Sequence, residues 1–309
     1  MSTACNSSLQ MARLSMCPAA AWLDLSSQPL IEHSALHRLG RPLTMVNVGA
    51  NKGYNVAAFL QLFHARASPA PTNAAWHAAL LREPSRVRYA CGLCNSCRAP
   101  PPRARHHVRV EVHAVELVGS NARTLRRLFR AFGVPGAAHH LALSNFSGIS
   151  TYAPQSAVGL EHIELGSRGG AARAEQVRVD TLDAFAAKQG LEEIALLSID
   201  AEGQDALVLE GAEGMLSTRR VAIVEFEYVG RGFWRQSHEQ RRSLLDVLAK
   251  LAGHGYSCFW QANNGRLASV EPGLRFGCRY DFRFRSNLLL ERAPPQRLLR
   301  VCVEGEQGT

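Results

Sequence analysis

Residues Val46-Asn-Val-Gly-Ala-Asn-Lys-Gly-Tyr54 end a short apolar, β-rich run that begins at Leu43. They also open a stretch, Val56 to His64, with helical apolar spacing. A strand that closes on Gly49-x-x-x-Gly53 and leads into a helix predicts a tight turn without bulky side chains. The polar backbone of a ligand can approach the main chain there, beside the positive end of the helix. The pattern is neither the dinucleotide-binding G-x-G-x-x-G nor a P-loop, since no Gly-Lys-Ser/Thr follows. Gly49 and Gly53 by themselves also suit an ordinary strand-to-helix turn.

The next predicted strand, Val108 to Leu117, alternates Val110, Val112 and Val115 with polar positions and ends beside Glu116. An acid at the tip of a second strand is where one carboxylate can bind both hydroxyls of a ribose. Further along, Ser120 or Asn121 is expected to cap a helix reaching about Phe132. Strands follow at His140–Ser144, Gln176–Val179, Ile194–Ile199, Val221–Glu227, Tyr256–Gln261 and Phe282–Leu290. Helices are expected at Thr181–Lys188, Asp205–Leu216 and His238–Ala252. Strands alternating with helices predict an α/β sheet covered on both faces. One span breaks the rhythm: Gly49 and Glu116 lie 67 residues apart, against about 30 for a compact βαβ unit. Residues 65–107 therefore read as an insertion, with a helix at Asn73–Arg82. Residues 1–40 read as a leader of low signal, 41–300 as one domain and 301–309 as a tail.

A second constellation comprises Val179-Asp-Thr-Leu-Asp183, Leu196-Leu-Ser-Ile-Asp-Ala-Glu-Gly203 and Leu207-Val-Leu-Glu-Gly-Ala212. A buried strand ending in Asp-x-Glu-Gly puts Asp200 and Glu202 at the sheet edge. Two carboxylates there can take a hydroxyl proton, hold a cation or orient a sugar hydroxyl. They can equally serve as a helix cap and a first-turn acid.

With both blocks in this order, the chain resembles the FkbM family of S-adenosylmethionine-dependent methyltransferases over roughly residues 43–290. Val224-Glu-Phe-Glu227 agrees with the family's next strand. The resemblance implies a class I, Rossmann-like fold: a mostly parallel seven-stranded sheet with helices on both faces. It implies that Gly49, Ala50, Asn51 and Gly53 line the methionine part of S-adenosylmethionine, and that Asn47 also belongs to the cofactor-binding set. Glu116 would take the ribose hydroxyls, and Ser144 and Asn145 would meet the adenine. Asp200 and Glu202 would face the transferred methyl, Asp200 as first and Glu202 as second candidate base. The implied reaction is O-methylation of a sugar or other small-molecule hydroxyl. Two positions depart from the family pattern: Asn47 stands where many members carry Asp, and Leu117 where Pro commonly follows the acid.

The 309 residues are 46% hydrophobic and 20% charged, which excludes a disordered tail, a collagen and a disulfide mini-protein. No stretch reaches the roughly 18 apolar residues of a membrane helix, so a soluble chain is expected. The net charge of +9 invites a nucleic-acid reading, and an RNA methyltransferase is the alternative function. Arginine supplies 32 of the 35 basic side chains, however, which is equally the mark of a composition bias. No Asn/Asp-Pro-Pro-Tyr/Phe segment of a base-amine methylator follows Asp200. A non-catalytic cofactor-binding module is a third reading. Of eight cysteines, Cys91, Cys94 and Cys97 form C-x-x-C-x-x-C in the insertion, a spacing that suits zinc. His106, His107, His113, Cys258 or Cys278 could complete such a site, and an iron–sulfur cluster or free thiols are the alternatives. The first 23 residues hold one Arg, several Ser and no acid, a weak transit-like or signal-like pattern. His139 and His140 are expected to be structural. Phe226, Tyr228, Phe233 and Trp234 are expected in the core or in an acceptor pocket.

Overall fold

The computed structural model describes residues 41–64, 71–83, 106–153, 174–228, 244–261, 267–270 and 298–304. In chain order the strands are β1 (Leu43–Val48), β2 (Val110–Glu116), β3 (Gly136–His140), β4 (Ala142–Leu143), β5 (Gly148–Tyr152) and β6 (Glu175–Asp180). They continue as β7 (Ile194–Ile199), β8 (Val221–Tyr228), β9 (Tyr256–Gln261), β10 (Leu267–Val270) and β11 (Leu298–Glu304). The helices are α1 (Tyr54–Phe63), α2 (Asn73–Leu80), α3 (Gly119–Phe132) and α4 (Leu182–Gln189). Then come α5 (Asp205–Glu210), α6 (Glu213–Ser217) and α7 (Leu244–Gly253).

Eight strands form the main sheet among the described residues, in the order β10-β9-β11-β8-β7-β1-β2-β3. The five from β8 to β3 are parallel, while β11 and β10 run antiparallel to their partners. The expected α/β architecture is thus present, with eight strands where seven were expected. One reason is that β11 inserts between β8 and β9 and crosses the boundary drawn at residue 301. The strand expected at Phe282–Leu290 lies outside the described residues, as do the leader and Phe233 and Trp234.

β1 is buried at all six positions because helices cover both of its faces. Leu43 and Met45 pack with Val56, Phe59 and Phe63 of α1, Trp76 of α2 and Leu125 of α3. Val46 and Val48 face the opposite way, toward Phe185 of α4, Val208 of α5 and Leu248 of α7. Central parallel strands read as continuous apolar runs for this reason. No helix among the described residues is long and apolar enough to cross a membrane.

Three local expectations differ. The segment expected as one strand at His140–Ser144 is split, because the chain leaves the main sheet after His140. It enters a second sheet of order β4-β6-β5, built on Ala142, Tyr152, Val177 and Val179. The helix expected over Asp205–Leu216 breaks at Gly211, whose α-carbon lies against the Ser144 carbonyl. A Cβ there would be 2.0 Å from that oxygen. Finally, α3 starts at Gly119 after Val118, with no side-chain cap, because Asn121 is engaged elsewhere.

Between the sheet and α4, His113 Nδ1 and His139 Nε2 are 3.1 Å apart, with both rings edge-on to Phe185. His113 Nε2 lies 3.2 Å from Glu111 Oε1. Burial, then His113 and Arg126, push the His139 pKa down to about 4. Burial likewise lowers that of His113. The folded state therefore holds both rings neutral, while the unfolded chain protonates them below about 6.5. Their contribution to stability is present above that pH and is lost as pH falls toward 4. Thermal unfolding of wild type and His139→Gln should show the advantage of wild type shrinking from pH 7 to pH 4.5. A constant difference would contradict this.

Candidate active site

The sheet changes direction between β1 and β7: the chain proceeds from β1 to β2 on one side and from β7 to β8 on the other. Open α/β sheets bind ligands outside the carboxyl ends of the strands at such a point. Here the residues after β1, β2 and β7 line a cleft open to solvent.

After β1, the loop is held by Gly49 and Ala50 amides donating to the Val115 carbonyl at 3.0 and 3.1 Å. Gly49 (φ +72°), Asn51 (φ +45°) and Gly53 (φ +79°) all take left-handed backbone, which Asn tolerates better than most side chains. Each glycine is required for a different contact. A Cβ on Gly49 would sit 2.0 Å from the Asp200 carbonyl oxygen, so this glycine lets the β1 and β7 loops touch. A Cβ on Gly53 would sit 2.7 Å from Leu125 and 2.9 Å from Trp76, so that glycine lets α1 seat against its neighbours.

After β2, the buried Glu116 side chain turns back toward this loop. Its Oε2 accepts from the Asn51 amide at 2.6 Å and its Oε1 from the Val118 amide at 2.7 Å. A carboxylate offers about four acceptor positions, so amides and a ribose diol can share it.

After β7, Asp200 and Glu202 flank a turn in which Glu202 (φ +53°) and Gly203 (φ +93°) are left-handed. Left-handed backbone at a glutamate is strained, and such strain concentrates at functional sites. The turn is fixed by Asp205, which is wholly buried. Its carboxyl accepts from the amides of Gly203 (3.2 Å), Glu227 (3.1 Å) and Ala201 (3.5 Å). Burial, and then the charge of Asp200, raise its pKa well above the usual carboxylate range.

Five of the sequence-predicted residues thus meet in the cleft: Gly49, Asn51, Glu116, Asp200 and Glu202. Ala50 and Gly53 do not line it. Asn47 is buried beneath the loop, its Nδ2 donating to the Ser198 carbonyl at 3.4 Å. Ser144 is buried away from the cleft, and Asn145 points at Glu210, 2.9 Å away. Leu141, Ala142 and Leu143, just before them in the chain, line the cleft. Sequence reading missed Val118, Asn121 and Gln204, which also line the cleft. Asn121 follows Glu116 by five residues, at the start of an amphipathic helix, and that placement was the available signal. The Val179-to-Asp183 segment has a structural role. Asp180 is ion-paired with Lys188 and accepts from Ser147 Oγ at 2.6 Å, while Asp183 caps α6 through the Gly214 and Met215 amides.

Cys91, Cys94 and Cys97 lie outside the described residues, as does Cys278. Of their proposed partners, His106 stacks on Phe63, His107 on His64, and His113 is buried against His139. Cys258 is in the core. Among the described residues no three His, Cys, Asp or Glu side chains converge as a metal site.

The sequence profile described as the methyltransferase FkbM domain matches residues 47–258. The chain belongs to the FkbM methyltransferase family. That match takes in both loops and the strand carrying Glu116. Two crystal structures are similar to this family member at low level. Methyltransferase FkbM from Methylobacillus flagellatus KT shares 12% identity at a TM-score of 0.39, over 74% of this chain and 42% of its own. The chain therefore spans about two fifths of that protein. A proposed O-methyltransferase from Klebsiella pneumoniae shares 11% identity at a TM-score of 0.33, over 99% of this chain and 91% of its own. No curated protein gives a significant match.

Proposed function

We propose that this FkbM-family protein uses S-adenosylmethionine to methylate a hydroxyl of a sugar or other small molecule. The observation that carries the reading is the Glu116 carboxylate, held by one amide from the β1 loop and one from its own loop. It stands in the same cleft as Asp200 and Glu202. The residues fit the cofactor's chemistry: a carboxylate for the ribose diol, bare main chain at Gly49 and Asn51 for the methionine part, and an apolar wall at Leu141–Leu143 for the adenine. Asn47, Ala50 and Gly53 shape the loop from behind.

When bound, S-adenosylmethionine supplies an electrophilic methyl group on a sulfonium centre. The protein's tasks are then to align the acceptor in line with that methyl and to remove the acceptor's proton. Asp200 is the first candidate for the proton and Glu202 the second, both lying at the carboxyl edge of β7. The turn between them and α5 is fixed by Gly203, which is left-handed and donates its amide to Asp205.

Calorimetric titration with S-adenosylhomocysteine tests the cofactor assignment. Wild type should bind, and Glu116→Ala should bind about a hundredfold more weakly, as expected when charged hydrogen bonds are lost from a buried site. Equal affinity of the two proteins would remove Glu116 from the site. With labelled S-adenosylmethionine and a panel of sugars, Asp200→Asn should bind cofactor but transfer about 100-fold or more slowly. Full transfer by that variant would discard Asp200 as the base. Cofactor binding without transfer by wild type to any hydroxyl would favour the non-catalytic reading.

A further inference from the structure

Lys52 sits in the middle of the cofactor loop, yet it is 4% exposed. A lysine is almost never buried unless its charge is paired or hydrogen-bonded, because desolvating an ammonium is costly. Here Nζ donates to Asn121 Oδ1 at 2.6 Å. An ammonium has donors only, whereas a carboxamide has one acceptor oxygen and one donor nitrogen. Lys52 therefore decides which way Asn121 faces: the oxygen toward the lysine and Nδ2 toward the loop, where it lies 3.4 Å from Asn51 Oδ1. Asn51 is the residue whose amide binds Glu116.

The other end of Lys52 is held as well. Its carbonyl accepts from Trp76 Nε1 at 2.8 Å. Trp76 belongs to α2, in the segment read as an insertion, and is fully buried, stacked on Phe132 and against the α-carbon of Gly53. Tyr54, the first residue of α1, meets the same helix through its hydroxyl, 2.7 Å from His77 Nδ1.

We propose that Lys52 and Trp76 are positioning residues for the cofactor, and that through them α2 buttresses the cofactor site. Trp76 anchors the loop from below. Lys52 orients the Asn121 carboxamide so that it presents N–H groups to the cleft, and Asn121 aligns Asn51 for its bond to Glu116. Asn121 then offers a donor to an acceptor atom of the bound nucleoside, beside the carboxylate that takes the diol. Anything that binds or displaces α2 would change cofactor affinity by this route. The ligand in this inference rests on the cofactor assignment above, whereas the orienting of Asn121 does not.

The test has two readouts on the full-length protein. In hydrogen exchange, the Asn51 amide should exchange about tenfold faster in Lys52→Met and about threefold faster in Trp76→Phe, which keeps an aromatic ring in the core and drops the indole N–H. In calorimetry with S-adenosylhomocysteine, Lys52→Met should weaken binding about tenfold on its own but less than twofold when Asn121 is already Ala, as coupled neighbours do. A lysine that merely stabilises the fold would give losses that add. Unchanged protection of Asn51 in both variants overturns the proposal, whether or not the ligand binds. Protection lost as expected, with no S-adenosylhomocysteine binding by wild type, would confirm the relay and instead reject the cofactor reading. Should Lys52→Met fail to fold, Trp76→Phe alone decides.

Discussion

Gly49→Ala should abolish measurable S-adenosylhomocysteine binding and lower the melting temperature by far more than an ordinary glycine replacement. Two costs combine. Left-handed backbone, φ +72° here, costs an L-residue about 1–2 kcal/mol. The larger cost is steric. The added methyl would lie 2.0 Å from the Asp200 carbonyl oxygen and 2.9 Å from its carbon, and a Cβ has no rotamer by which to escape. The β1 and β7 tips would have to part, breaking the 2.9 Å bond from the Asp200 amide to the Val48 carbonyl. Gly133→Ala is the control. Its φ is +59°, and nothing lies within 4 Å of the new methyl. It should therefore cost only the backbone term, a few degrees in melting temperature at about 2–4 °C per kcal/mol. Equal behaviour of the two variants would show that the loops are not in contact.

Asp205→Ala should be the most damaging single loss of a polar side chain. It removes the acceptor of three backbone amides at once, those of Ala201, Gly203 and Glu227. An unsatisfied buried donor costs about 1–3 kcal/mol, so a loss of at least about 3 kcal/mol and roughly 6–12 °C is expected. The sign of its pH dependence is distinctive. Burial and Asp200 raise the Asp205 pKa above its unfolded value. Its contribution is therefore full below the unfolded pKa and declines as pH rises through the folded one. The deficit of Asp205→Ala relative to wild type should be largest in acid and narrow toward neutrality, opposite to that of a salt-bridged carboxylate. A deficit that grows with pH would show that the buried group is stabilised as an anion.

The sheet was legible where both faces are covered. Ile194-Ala-Leu-Leu-Ser-Ile199 is read to the residue, because a strand buried on both faces reads as a near-continuous apolar run, here interrupted only by the small Ser198. Gly148-Ile-Ser-Thr-Tyr152 was not read as a strand at all. It is an edge strand with Ile149 exposed, so no buried face imprints an alternation on it. The switch of sheets at Leu141 is equally silent, since both halves of that segment are strands.

In the site, glycines and acids at strand tips were legible because backbone need and charge restrict those positions to few residue types. Asn121, Gln204 and the Leu141–Leu143 wall were not, because ordinary residues acquire their role there only from neighbours distant in sequence. Lys52 illustrates the limit: nothing in the sequence distinguishes a buried, orienting lysine from a solvated one. Asp205 was read as the start of a helix, which it is, but its three amides come from a loop and a strand that only the fold brings together.

The place of β1 in the sheet has a consequence for how the protein is made. β1 lies between β2 and β7, with Met45 opposite Leu196. The ribosome finishes β1 about 150 residues before it delivers that partner, a wait of roughly 8–30 s at about 5–20 residues per second. Through that interval one edge of a six-residue, mostly apolar strand stands open in the nascent chain. Long-range parallel pairing of this kind folds slowly and is exposed to aggregation meanwhile. The yield of native protein should therefore depend on how well that edge is shielded during synthesis.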